Sequence, residues 1–301
     1  MKTMRKMNCF VLAALLLGCL FFAGCGGSAD QSWPSVIPSQ VSASSATATP
    51  SPTTNGMESY GVFIGLDPED MARLSGYELV VIDAAYFSAE QIAQMHDSGQ
   101  TVYTYLNIGS VERFRDYYKE YEPLTLGVYE DWPDERWVDV SQPEWQDFIV
   151  NTLAASLAAK GVDGFFLDNA DVYYVYPRDE IYQGLTDILT GLDGYGLPLI
   201  INGGDAFVRK LMDDGQINLI DGVNQESVFT SIDFDTETFG TQDAENHEYY
   251  LEYLNRCRDA GLKVYLLEYA TDPVAVETQI AAYCGENGFQ YYISDDLELD
   301  G

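Results

Sequence analysis

The sequence predicts an α/β chain folded as a (β/α)8 TIM barrel in a single domain, preceded by a signal peptide and a disordered linker. Three observations predict it. Eight short β-rich runs recur between Tyr60 and Asp295. These runs are mostly continuous Val, Ile, Leu, Tyr and Phe rather than apolar/polar alternation, the pattern of parallel strands covered on both faces. Five joints leading into a run end in Gly99, Gly161, Gly196, Gly261 and Gly288, and glycine closes a helix C-terminus in the left-handed conformation. Eight units in roughly 240 residues match a barrel in length and count. A doubly wound dinucleotide-binding sheet would need fewer strands and a G-x-G-x-x-G after the first, which is missing.

The amino-terminal segment concerns address. Lys2, Arg5 and Lys6 precede an apolar run, Phe10 to Phe22, too short for a permanent membrane span and read as a signal peptide over residues 1–24. It ends Phe22-Ala23-Gly24-Cys25, which resembles the lipobox at which a bacterial leader is cut and the cysteine acylated. The expectation is an extracytoplasmic protein held to the cell membrane by lipid on Cys25. Residues 25–58 are mainly Ser, Thr, Ala and Pro, a disordered tether reaching on the order of 30 Å. The barrel then occupies residues 59–301.

The strand runs are read as Tyr60–Gly65, Leu79–Tyr86, Thr101–Gly109, Gly164–Asn169, Pro198–Gly203, Ile220–Glu226, Lys263–Tyr269 and Phe289–Asp295. The clearest helix spans Glu144 to Lys160, with Trp145, Phe148, Ile149, Leu153 and Leu157 on one side for packing onto a sheet. Ser141 and Pro143 mark its start.

Lys+Arg 15 against Asp+Glu 48 gives a net charge of −33, which excludes nucleic acid as a partner and favours a cationic ligand. His96 and His247 are the only histidines and fall on helical segments. A zinc site or a Ser-His-Asp triad therefore lacks raw material, and neither metal nor cofactor is expected. Cys257 and Cys284 are read as buried thiols in preference to a disulfide. The chain is expected to act as a monomer.

Reactive groups of such a barrel sit at strand C-terminal ends. The second run carries Asp83, the third Tyr105 and Asn107, the fourth Asp168 and Asn169, and the fifth Asn202. The sixth carries Asn224, Gln225 and Glu226, the seventh Glu268 and the eighth Asp295. Acids without a cation on these strands raise one another's pKa, so function or a bound cation must compensate. The longest connection, Ser110 to Gly161, carries Glu112, Tyr117, Tyr118, Tyr121, Trp132, Trp137 and Asp139; its aromatic residues either stack on sugar rings or cover an apolar rim. Asp171 and Asp295 also suit helix caps or solvated positions. Two carboxylates on the fourth and sixth strands, Asp168 and Glu226, suit glycoside hydrolysis without a cofactor.

At these residues the chain resembles the glycoside hydrolase family 114 barrels, typified by endo-α-1,4-polygalactosaminidases, over most of Tyr60 to Asp295. The motifs are Tyr105-Leu106-Asn107-Ile108-Gly109, Trp137-Val138-Asp139 with Pro143-Glu144-Trp145, Gly164 to Asp171, Ile201-Asn202-Gly203-Gly204 and Asn224-Gln225-Glu226. The resemblance implies Asp168 as nucleophile and Glu226 as general acid and base, with retention. Asp83, Tyr105, Asn107, Glu112, Trp137, Asp139, Asn169, Asp171, Asn202, Gln225 and Glu268, at the strand ends, in the long connection and in these motifs, are the candidate substrate-binding residues. The resemblance also implies a cationic amino-sugar polysaccharide as partner. Many members carry Glu after the third-strand glycine, where this chain has Ser110, with Glu112 two positions on. The competing functions are a non-catalytic carbohydrate-binding barrel and, further off, a metal-dependent deacetylase.

Overall fold

The computed structural model describes residues 58–130 and 132–301. The expected leader, Cys25 and nearly all of the tether lie outside the described residues. Eight strands form one sheet: β1 (Glu58–Phe63), β2 (Tyr77–Ile82), β3 (Thr101–Asn107), β4 (Gly164–Asp168), β5 (Leu199–Asn202), β6 (Gly222–Glu226), β7 (Lys263–Tyr269) and β8 (Gln290–Ser294). They pair in chain order, every neighbour parallel. β8 lies alongside β1, so the sheet closes on itself as a single-domain (β/α)8 barrel. Aromatic packing seals this seam: Phe63 sits 4.9 Å from Tyr77 and 5.2 Å from Tyr292, centroid to centroid.

Six crossovers carry a helix: α1 (Ala89–Asp97), α2 (143–158), α3 (Asp179–Asp193), α4 (Asp205–Asp213), α5 (Ala244–Asp259) and α6 (Pro273–Asn287). The first crossover differs from the expected unit. Pro68–Leu74 is 3-10 helix, because the short span between β1 and β2 has room only for tight turns. At each of the five predicted joints the glycine has φ between 65° and 94°, as a left-handed helix terminus requires.

Helix α2 turns more widely than its apolar spacing predicts, being π-helical over Phe148–Ala154. The extra residue in the turn shifts the buried stripe after Ile149 to Ala154 and Leu157, and leaves Leu153 at the margin. Inside the barrel, side chains of alternate residues fill the bore. The rings of Tyr60 and Tyr265 meet at 4.7 Å, and Gly164 leaves space for the Tyr103 ring, which a Cβ there would approach to 2.6 Å. Cys257 and Cys284 are buried free thiols.

Two insertions stand on the C-terminal face. After β3, strands Ser110–Glu112, Thr125–Val128 and Glu135–Val138 form a small antiparallel sheet. After β6, Thr230–Asp233 and Thr238–Thr241 form a hairpin. The two meet where Trp132 packs edge-on against Phe234 at 5.2 Å.

Candidate active site

β4, β5 and β6 end side by side, and the last residue of each points into the bore: Asp168, Asn202 and Glu226. The chain then leaves each strand abruptly. Asn169, Gly203 and Ser227 all have left-handed backbones, with φ of 65°, 60° and 54°. Glycine adopts this freely and asparagine tolerates it, whereas serine does so at a cost of about 1–2 kcal/mol. The Ser227 N–H donates to the Leu267 carbonyl at 2.9 Å, which holds the turn after Glu226 in place.

One amide nitrogen clamps the two acids. Asn202 Nδ2 donates to Asp168 Oδ1 at 3.0 Å and to Glu226 Oε1 at 2.7 Å, so these oxygens lie no more than about 6 Å apart. The clamp is aimed from below: Asn224 Nδ2 donates to Asn202 Oδ1 at 2.7 Å, and the Tyr60 hydroxyl donates to Asn224 Oδ1 at 3.0 Å. The Tyr269 hydroxyl donates to Glu226 Oε2 at 3.0 Å, and Asn169 Nδ2 approaches Asp168 Oδ2 at 3.4 Å. Tyr105 also hydrogen-bonds Asp168.

The two acids are 2% and 0% exposed, and burial sets their chemistry. Desolvation pushes the Asp168 carboxyl up to about 6, against the hydrogen bonds of Asn202 and Tyr105 that favour its ionised form. Desolvation pushes Glu226 well above the usual carboxylate range; the Asn202 bond opposes this and the nearby Asp168 adds to it. Of the pair, Glu226 is the one that holds a proton more readily and Asp168 the one that ionises first.

The predicted binding residues divide into groups. Tyr105, Asn169 and Asn202 touch the acids directly. Asp171 shares their electrostatic environment, and burial with Asp205 and Asp168 nearby lifts it to about 8; its Oδ2 accepts the Gly204 N–H at 3.0 Å. Asn107 accepts the Ser110 N–H and donates to Ser110 Oγ, closing the turn after β3. Gly109 is required there, since a Cβ would come within 1.8 Å of the Asn169 carbonyl oxygen.

Asp83 and Glu112 both bind Arg115, at 2.8 and 3.1 Å. This buried guanidinium is the cation that the strand ends lack, supplied from the insertion. It borders a cavity of about 360 Å³ lined also by Asp83, Tyr86, Tyr105, Asn107 and Phe114, whose lining does not include Asp168 or Glu226.

Four predicted residues serve the scaffold. Trp137 stacks flat on Tyr129 at 4.1 Å. Asp139 accepts from the Ser141 hydroxyl and the Gln142 amide and so opens α2. Gln225 Nε2 donates to the Glu226 carbonyl. Glu268 accepts the backbone N–H groups of Val228, Phe229 and Thr230 and the Thr230 hydroxyl, anchoring the hairpin. Tyr117 and Tyr121 lie against Phe148 of α2 at 4.7 and 4.4 Å, so they cover the apolar rim. Asp295 is exposed.

Sequence reasoning missed Arg115, Glu135, Tyr269 and Tyr60. Glu135 is buried, and its Oε2 accepts the Ser110 hydroxyl at 2.8 Å. Desolvation and the neighbouring Glu112 push it well above the usual carboxylate range. It stands among Glu130, Asp131 and Asp134, where nothing in the order of residues singles it out. Arg115 carries the one available signal, a cation in an acidic connection over the active face. Among the described residues, no group of His, Cys, Asp and Glu is arranged to hold a metal ion, and no helix is long and apolar enough to cross a membrane.

A family model described as glycoside-hydrolase family GH114 matches residues 39–301. The glycoside hydrolase domain of PelA from Pseudomonas aeruginosa superposes with a TM-score of 0.69 at 20% identity, over 81% of this chain and 96% of that one. Ega3 of Aspergillus fumigatus, solved in complex with galactosamine, gives 0.60 at 17% identity, over 85% and 96%. At such identities the likeness is one of fold. An uncharacterised protein from Thermotoga maritima is 29% identical over 127 residues, spanning 38% of this chain and 39% of its own length.

Proposed function

The chain belongs to glycoside-hydrolase family GH114, and from that premise we propose that it cleaves α-1,4-linked galactosamine-type polysaccharide by a two-carboxylate retaining mechanism. The observation that carries this reading is the pair of acids joined through Asn202 Nδ2, at 3.0 and 2.7 Å. Retaining glycosidases hold their carboxyl groups ~5–5.5 Å apart, inverting ones ~6.5–9.5 Å, and the upper bound set by the shared nitrogen supports the first.

In the first step Asp168 attacks the anomeric carbon while its bond to the glycosidic oxygen breaks. Glu226 gives its proton to that oxygen, and the leaving sugar departs with a free hydroxyl. Glu226, now ionised, takes a proton from water, whose oxygen attacks the anomeric carbon and releases Asp168. Tyr269 and Asn202 donate to Glu226 and stabilise its charged state between the two steps. The acids that surround the site, within a chain of net charge −33, favour a sugar bearing free amines. A neighbouring fold crystallised with galactosamine agrees with that substrate class. Signal peptide and Cys25 complete the reading as an extracytoplasmic, lipid-anchored enzyme acting on surface or matrix polysaccharide.

The test is reducing-end release from partially deacetylated polygalactosamine. Wild type should produce it, and Asp168→Asn and Glu226→Gln should each lose about 10²–10⁴-fold in kcat. Equal product from all three proteins would remove the assignment of Asp168 and Glu226, and no product from any of them would favour a binding protein.

A further inference from the structure

Tyr129, in the insertion after β3, presents a hydroxyl that its packing does not use. It is 2% exposed, yet its hydroxyl has no hydrogen-bond partner among the described residues. A buried unpaired hydroxyl is costly to a folded chain. Its ring is well held, stacked on Trp137 at 4.1 Å and 21°, and its N–H donates to the Glu135 carbonyl at 3.2 Å. The segment that carries it is tied to the catalytic strand. Glu135 Oε2 accepts from Ser110 Oγ, which also accepts from Asn169 Nδ2, the residue beside Asp168. The charged groups that act on the phenol are the carboxyls of Glu135, Asp171, Asp168 and Glu226.

We propose that Tyr129 is a substrate-contacting residue, whose hydroxyl donates a hydrogen bond to a ring hydroxyl of the amino sugar held between Asp168 and Glu226. The inference deepens the glycosidase reading and rests on it. The charged groups that act most on this oxygen are carboxyls, which as a set favour a sugar's amine. Tyr129 differs from them as a neutral O–H donor that no group among the described residues engages. Burial and the acids around it hold its proton firmly, so it donates across the whole working pH range. A rigid aromatic ring on a second ring also places that donor without an ordering cost on binding.

Tyr129→Phe deletes one oxygen and keeps the stack on Trp137. A site role and a structural role move its two readouts in opposite directions. Loss of a group kept only for substrate should lower kcat/KM on partially deacetylated polygalactosamine about 10- to 100-fold and leave the melting temperature unchanged or higher. Tyr283→Phe serves as the control; its hydroxyl is also unpaired, but its ring packs on Phe229 and Phe289, and kcat/KM should not move. A Tyr129→Phe protein with wild-type kcat/KM, or with a melting temperature several degrees lower, would overturn the inference. Failure of the glycosidase reading shows separately, as wild type that neither cleaves nor binds the polymer, and it overturns this inference too.

Discussion

Asn202 serves the carboxyls of both Asp168 and Glu226 with one nitrogen, and its hydrogen bonds favour the ionised form of each. Wild-type kcat/KM should rise as pH passes about 6, where Asp168 ionises, and fall on the alkaline side as Glu226 loses its proton. Asn202→Ala removes a bond that holds the Asp168 value down, so the acid limb should move to higher pH. The maximum should drop at least about tenfold because neither carboxyl is then aimed. A pH–rate profile of the two proteins checks both effects; an unmoved acid limb would show that Asn202 does not tune Asp168.

Strand ends supply the acids, and the two insertions decide what surrounds them. The insertion after β3 brings Arg115 onto Asp83 and Glu112, and Glu135 onto Ser110, which also holds Asn169. The hairpin after β6 brings Phe234 onto Trp132 and Phe239 to 5.7 Å from Tyr269, the donor to Glu226. Glu268 anchors that hairpin by taking three backbone N–H groups that would otherwise be buried unpaired. Glu268→Ala should cost about 3 kcal/mol or more and release the hairpin amides to hydrogen exchange ahead of the barrel strands. A melting temperature equal to wild type, with hairpin protection intact, would assign the anchoring elsewhere.

Across the whole molecule, buried acids reverse the usual pH dependence of stability. Asp168, Asp171 and Glu268 stand at about 6, 8 and 7 in the folded chain, against 3.8, 3.8 and 4.5 for the ordinary groups. Between roughly pH 4 and 8 the native state therefore binds more protons than the unfolded chain, and stability declines as pH rises through that window. Ionisation also adds repulsion to a chain already at −33. Glu90, Asp139, Asp214 and Glu252 lie below their ordinary values, so what they contribute is lost only as pH falls below about 4. Thermal melts should accordingly show a higher transition at pH 5 than at pH 8. The reverse order would mean that the site acids are ionised at little cost.

The barrel itself was legible in the order of residues. Doubly covered strands need continuous apolar runs, and each return from a helix needs a glycine, so the eight runs and Gly99, Gly161, Gly196, Gly261 and Gly288 mark the architecture locally. Asp168, Asn202 and Glu226 were legible for the same reason, as polar residues closing apolar strands. Only the closed ring decided that these three meet, because strands far apart in sequence become neighbours at one end of the sheet. Glu268 shows the other side of this: it stands one residue before the end of β7, so alternation turns it away from the bore to hold a loop. Arg115, Glu135 and Tyr129 lie in the insertion after β3, where no long periodicity forecasts direction, and packing alone sets Arg115 on Asp83 and Glu112, Glu135 on Ser110 and Tyr129 on Trp137.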